Sequence, residues 1–401
     1  MPRVNRSVFL LKPSPTRELD EIRLSLAKRG VDVIMLSTGQ PSIPPPRWLR
    51  ERLASLLAEE SMRPYAYTPS SGIPELREAI ADDIKLFGGP SVDPEDIVVT
   101  AGGQEGMFVA LSSILEKGDE VVLVDPTYFG YEPLVRYLGA KVVKVRARLE
   151  EGFQVDPDDI NRVIRRGRTK AVVLVSPDNP TGRVLKEDVV RAVADIVTDS
   201  DAWLVFDEAY RTLVYRGIHV NPYRYAPHNT IVIGTFSKDP GLPGWRLGYI
   251  YSDRELSDKV KLLSEKVVYC PPSVAQLAVL EYLRNREGRL KHIEYVKGVY
   301  ARRMEAAVRA LKEYLPEARF TEPEGGMFVY VDLEEYLKPA RIDSNELAKR
   351  LLERAHVAVV PGTHFGESGR YAVRVSFVSE PERRLEEGVR RLSETIYTLS
   401  A

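Results

Sequence analysis

Seven short runs rich in Val, Ile and Leu, separated by stretches of helical pattern, constrain this chain more than any other feature. They are Ile97–Thr100, Glu120–Asp125, Lys141–Val145, Ala171–Ser176, Trp203–Asp207, Thr230–Phe236 and Leu247–Tyr251. Several are continuous rather than alternating, as expected of strands covered on both faces. Between them, Glu105–Leu115 and Lys186–Thr198 are amphipathic at helical spacing. A repeated strand–helix order of this kind predicts an α/β fold with a mostly parallel seven-stranded sheet flanked by helices.

The rhythm changes after about residue 290. A long helix near Ile293–Leu315 leads to strands near Gly326–Leu333 and Tyr371–Phe377, with helices around Ser344–Arg354 and Glu380–Leu399. That pattern predicts a smaller α+β domain. Residues 1–45 are turn-rich apart from a helix around Glu18–Arg29. Pro41, Pro44, Pro45 and Pro46 keep the chain extended until a helix begins near Trp48. The expected division is an N-terminal segment over 1–45 associated with the small domain, a large domain over 46–290 and the small domain over 291–401.

Composition excludes several classes. Lys+Arg 57 against Asp+Glu 58 leaves a net charge of −1, with no global attraction to nucleic acid or an anionic membrane. The single cysteine, Cys270, rules out an intrachain disulfide and suits a reducing compartment. The apolar run Val8–Leu11, broken by Lys12 and Pro13, is too short for a signal-peptide core or a membrane span. A cytoplasmic protein is expected. His219, His228, His292, His356 and His364 stand at no metal-ligand spacing from one another or from the cysteine, so no metal site is expected.

The chemistry-bearing residues fall where strands end. Lys238 lies just past the carboxyl end of one predicted strand, in Ser237-Lys238-Asp239-Pro240-Gly241-Leu242-Pro243-Gly244-Trp245-Arg246. It is either a solvated loop lysine or a Schiff-base lysine with Arg246 placed on a phosphate. Asp207 ends another strand; it either caps the following turn or holds a ring nitrogen protonated, with Tyr210 near a phenolic oxygen on that ring. Ser176-Pro177-Asp178-Asn179-Pro180-Thr181-Gly182 is a turn by composition, and the Asn179 amide can also donate to an oxyanion. Gly102-Gly103-Gln104 precedes a helix, where exposed N–H groups form a general anion site. Tyr128 is either a core aromatic or a stacking face. Arg374, on the alternating run Tyr371–Phe377, is either solvent-facing or a fork for a carboxylate.

Together these motifs resemble the class I/II aminotransferases, the fold-type I pyridoxal-phosphate enzymes. The resemblance runs from Ser37-Thr38-Gly39-Gln40-Pro41 to Arg374, with Tyr67–Arg77, Asn179-Pro180-Thr181-Gly182 and Ser237-Lys238 through Arg246 the most specific stretches. It implies a fold-type I transferase that moves an amino group from an L-amino acid to a 2-oxo acid, with 2-oxoglutarate the expected acceptor, by ping-pong kinetics. Pyridoxal 5'-phosphate is the implied cofactor, with Lys238 as Schiff-base lysine and proton shuttle. Asp207 would pair with the ring nitrogen, Tyr210 and Asn179 hold the 3'-oxygen, and Tyr128 stack on the ring. Gly103, Gln104, Thr235, Ser237 and Arg246 would surround the phosphate. Tyr67 would reach it from the neighbouring subunit of a homodimer with shared active sites. Gly39 and Arg374 would bind substrate, Arg374 by its carboxylate.

The sequence departs from the family at two places. Asp239-Pro240 stands where relatives more often have Thr or Asn followed by an aromatic, so an altered loop with an intact lysine is expected. Pro15 in Pro13-Ser14-Pro15-Thr16 replaces a common serine, and Gln104 a common lysine, which argues against strict aspartate specificity. The alternatives on the same fold are a lyase of the C–S lyase or aminocyclopropane-carboxylate synthase type, and a non-catalytic cofactor-binding sensor.

Overall fold

The computed structural model describes residues 3–11 and 13–399, with the side chains of residues 15–18 outside that description. Pro15 and Thr16, singled out above, therefore lie outside the described side chains. The seven runs form one seven-stranded sheet. Its order is Ile97–Thr100, Gly248–Tyr251, Thr230–Thr235, Trp203–Asp207, Thr169–Val175, Glu120–Asp125 and Lys141–Arg146. Only Gly248–Tyr251 runs against its neighbours; the remaining pairs are parallel.

The continuous apolar runs have a direct packing reason. Successive side chains on a strand point to opposite faces, and here both faces are covered. Val98, Val121, Leu123, Val173, Val205, Ile231 and Ile250 share a core with the helices Gly103–Ile114, Tyr131–Tyr137 and Arg254–Val268. Their strand neighbours Ile97, Val99, Val122, Val124, Val172, Leu174, Leu204, Phe206 and Val232 pack the other way, against Pro74–Leu86, Glu187–Ser200 and Ser273–Arg284. A third core is built on the antiparallel sheet Val360–Pro361, Ala372–Ser376 and Phe328–Asp332, packed on Arg286–Tyr314 and Glu382–Tyr397. The N-terminal segment joins this part through Ile34–Met35, which pairs in parallel with Val357–Ala358.

The long helix begins at Arg286, earlier than its apolar periodicity suggests, because Asn285 caps it by accepting from the Gly288 N–H at 3.0 Å. Among the described residues no helix is long and apolar enough to cross a membrane, and no cluster of His, Cys, Asp and Glu is arranged to hold a metal.

Leu204 is fully buried in the middle of the sheet, whereas Ile218 is 79% exposed. Leu204→Ala should cost about 2–5 kcal/mol of stability, and Ile218→Ala should stay within about 0.5 kcal/mol. Chemical denaturation of the two variants side by side checks this; equal midpoints would contradict the sheet assignment.

Candidate active site

Parallel strands deliver their carboxyl ends to one edge of the sheet, the usual ligand side of α/β folds. Asp207 ends one strand, Asn179 follows the next, Ser237 and Lys238 follow a third, and Gly103 follows Ile97–Thr100. Arg374 and Phe328, from the three-stranded sheet, and Gly39, from the N-terminal segment, close over them. The result is a cavity of about 370 Å³, lined by Gly39, Gly103, Gln104, Tyr128, Asn179, Asp207, Tyr210, Thr235, Ser237, Lys238, Arg246 and Arg374 among others. Every residue proposed from the sequence as holding cofactor or substrate is there except Tyr67. That side chain is 82% exposed, with its ring edge-on to Tyr269 at 5.0 Å.

Lys238 Nζ donates to the Gly39 carbonyl at 2.9 Å. A Cβ at Gly39 would lie 2.7 Å from the Phe328 ring, so glycine is what lets this backbone approach. Burial, then the positive charge of Arg374, pulls the Lys238 amine down to about 8, against an opposing pull from Asp207. Asp207 Oδ2 accepts from the Tyr131 hydroxyl at 2.7 Å and Oδ1 from the Ala209 N–H at 2.9 Å. Those bonds do not offset its burial, which raises the carboxyl above its ordinary value. Arg374 is buried too. Its Nη1 donates to Asn179 Oδ1 at 2.9 Å and its Nη2 to the Ser37 carbonyl at 2.6 Å, while its Nε has no partner. The guanidinium lies 4.0 Å from the Phe328 ring centre, and burial lowers it to about 10, so it stays charged at neutral pH. Arg374 engages the Asn179 oxygen, and burial drives up the pKa of the nearby Tyr210 hydroxyl.

A separate anion cradle sits at the start of the helix Gly103–Ile114. Gly102 caps it at φ +89° and packs directly under Arg246: a Cβ there would lie 2.5 Å from Arg246 Nη2. Arg246 itself is left-handed, at φ +52°, a conformation that costs a non-glycine residue energy and turns its side chain back over the helix end. Thr235 and Ser237 add hydroxyls 3.0 Å apart.

Sequence reasoning missed Tyr131, Ser37 and Phe328. Tyr131 carried a faint signal, since it follows Tyr128 by three residues, and the two rings meet edge-on at 5.3 Å. Ser37 acts through its carbonyl and Phe328 through its ring face, which no spacing announces.

The donor set fits one kind of molecule. An acceptor carboxylate without a cation, an amine of lowered pKa, and N–H groups with a guanidinium at a helix start suit a cationic ring, an aldehyde and a phosphate, in that order. Arg374, already bonded to Asn179 and Ser37, keeps further N–H groups, Nε among them, that could meet a carboxylate.

The family model for aminotransferase class I and II matches residues 31–392. An aspartate/prephenate aminotransferase of Thermus thermophilus is 37% identical, the match covering 94% of this chain and 95% of that protein. An arginine–pyruvate transaminase of Pseudomonas aeruginosa is 32% identical over 92% of this chain and 91% of its own length. Among solved structures, Thermus thermophilus aspartate aminotransferase with maleate superposes with a TM-score of 0.92 at 35% identity, covering 98% of this chain and 100% of that one. The cofactor that goes with this likeness is pyridoxal 5'-phosphate, which the donor set above accommodates. The chain belongs to the class I and II aminotransferases and is an amino-acid aminotransferase.

Proposed function

We propose that the protein moves the α-amino group of an L-amino acid to a 2-oxo acid, with 2-oxoglutarate as the acceptor, in two half-reactions at one site. The observation that carries this reading is the trio Lys238, Asp207 and Arg374. All three line one cavity, Arg374 buried and Lys238 and Asp207 partly buried at its wall, and among the described residues none sits in an ion pair. An uncompensated desolvated charge is costly, so Asp207 and Arg374 are placed to meet charges brought by a ligand, and Lys238, held toward its neutral form, to attack an aldehyde.

When bound, pyridoxal phosphate supplies an aldehyde and an electron-withdrawing ring. Asp207, itself held by Tyr131 and the Ala209 N–H, would keep a proton on the ring nitrogen. Tyr210 and Asn179 would hold the 3'-oxygen, and Tyr128 would stack on the ring. Gly103, Gln104, Thr235, Ser237 and Arg246 would take the phosphate. Arg374 takes the substrate α-carboxylate beside Gly39 and fixes the α-C–H bond relative to Lys238. The Lys238 amine is placed to take the α-proton and to act as the proton shuttle, a task suited to a base with a pKa near 8. Relatives named for aspartate, prephenate and arginine–pyruvate differ in the side chain they accept, whereas the α-carboxylate and α-amine are common to amino acids.

The same reading includes a cytoplasmic homodimer in which Tyr67 completes the neighbouring subunit's phosphate site. The exposure of Tyr67, beside exposed Met62 and Tyr65, supports it. It also divides the chain at residues 45 and 290, the long helix from Arg286 spanning the second boundary.

Three measurements test these roles. Lys238→Ala should lower turnover by about 10²–10⁴-fold or more; a variant within tenfold of wild type would remove the lysine from the chemistry. Arg374→Lys keeps the charge but loses the fork, and should cost about 2–5 kcal/mol in kcat/KM, mostly through KM. An unchanged KM would place the substrate carboxylate elsewhere. The neutral amine is the form that attacks an aldehyde, so capture of pyridoxal phosphate by the apoprotein should be slow at low pH and rise through a midpoint near 8. A midpoint near the ordinary lysine value of 10.5 would mean that Lys238 is not held in this buried, cationic setting.

A further inference from the structure

Beneath the loops that carry Lys238 and Asp207 runs a line of buried charges that no step above uses. Asp239 follows Lys238 directly, at the point where the sequence departs from its family. Its carboxylate accepts from the Tyr282 hydroxyl at 2.5 Å and from Arg289 Nη2 at 2.8 Å. Arg289, in the first turn of the helix Arg286–Tyr314, turns its Nη1 to Asp83 of the helix Pro74–Leu86. Asp83 is met in turn by Arg211 Nη2. Arg211 Nε stands 3.7 Å from Glu208, the residue after Asp207. Charge therefore alternates along Asp239, Arg289, Asp83, Arg211 and Glu208, from the neighbour of one site residue to the neighbour of the other.

The line is largely enclosed by protein. The Phe87 ring packs near both guanidiniums, its centre 4.9 Å from Arg289 and 5.5 Å from Arg211. At its far end Glu208 also accepts from the Tyr249 hydroxyl at 2.7 Å and the Asn221 amide at 2.9 Å, and its other contact is His219 Nε2 at 3.1 Å. Buried ion pairs contribute little net stability compared with apolar packing, but their geometry is demanding because no solvent can replace a lost partner. Four separate segments of the chain meet here, and two of them carry a residue of the cavity one position away.

We propose that this line of alternating charges is a positioning device that ties the Lys238 loop to the Asp207 loop and so fixes the separation of the amine and the carboxylate. Asp239, Arg289, Asp83, Arg211 and Glu208 act through those two residues and touch neither substrate nor cofactor. The proposal rests on Lys238 being the cofactor lysine.

The test compares Asp239→Asn, Arg289→Met and the double variant in two assays. In cofactor-saturated enzyme, each single variant should lower kcat at least tenfold while KM stays within threefold. The double variant should fall no more than threefold further, since both substitutions break one connected line. In cofactor-free protein, amide hydrogen exchange should rise tenfold or more in residues 237–242 and also in 207–210, the distant loop. Tyr282→Phe removes only a neutral donor to Asp239; it should show the same pattern at smaller size, and it serves if the charge variants do not fold. Loaded variants with wild-type kcat, multiplying losses in the double variant, or exchange raised only in residues 237–242 would each overturn the proposal. Failure of the underlying reading is distinct: wild-type protein would then take up no pyridoxal phosphate.

Discussion

Asp207 is a partly buried, desolvated carboxylate at the end of a parallel strand, held by one tyrosine hydroxyl and one backbone N–H and, among the described residues, in no ion pair. Desolvating such an ion costs several kcal/mol, and two neutral donors recover only part of that. Sequences that merely need to fold do better with an apolar residue there. The position makes sense when a positive charge arrives with a ligand, and the rest of the site answers to that demand. Arg374 is the mirror case, a buried guanidinium over the Phe328 ring that awaits an anion. Lys238 lies between the two, its amine shifted toward the neutral form.

The sheet makes this arrangement achievable. Its parallel strands bring Asn179, Asp207 and Lys238 to a common edge from turns that are far apart in sequence, and its two packed faces hold those turns still. The three-stranded sheet then adds Arg374 from a separate core. On the proposed reading, the α-carboxylate would be gripped from one side and the cofactor from the other. This explains how relatives with different named substrates can share one frame.

Much of this was legible in the sequence because the physics is local. Runs such as Val172–Val175 and Leu204–Phe206 are continuous because both faces of the sheet are covered, so strands and their ends could be placed, and with them Asp207, Asn179 and Lys238. Interactions that join distant segments left no such mark. Asp83, Arg211 and Arg289 read as ordinary charged positions on helices or loops, and only the fold brings them to Asp239. Ser37 contributes a carbonyl, which every residue has. The pairing of Ile34–Met35 with Val357–Ala358 is too short to show a period. Tyr67 needs a second subunit before its reading has any meaning.

The most direct test of the account is chemical. Pyridoxal phosphate bound to the purified protein should be fixed by borohydride, and peptide mapping should then find the phosphopyridoxyl group on Lys238. A label on any other lysine, or protein that stays colourless and unlabelled after incubation with excess cofactor, would contradict the central claim that this buried amine is where the cofactor is held.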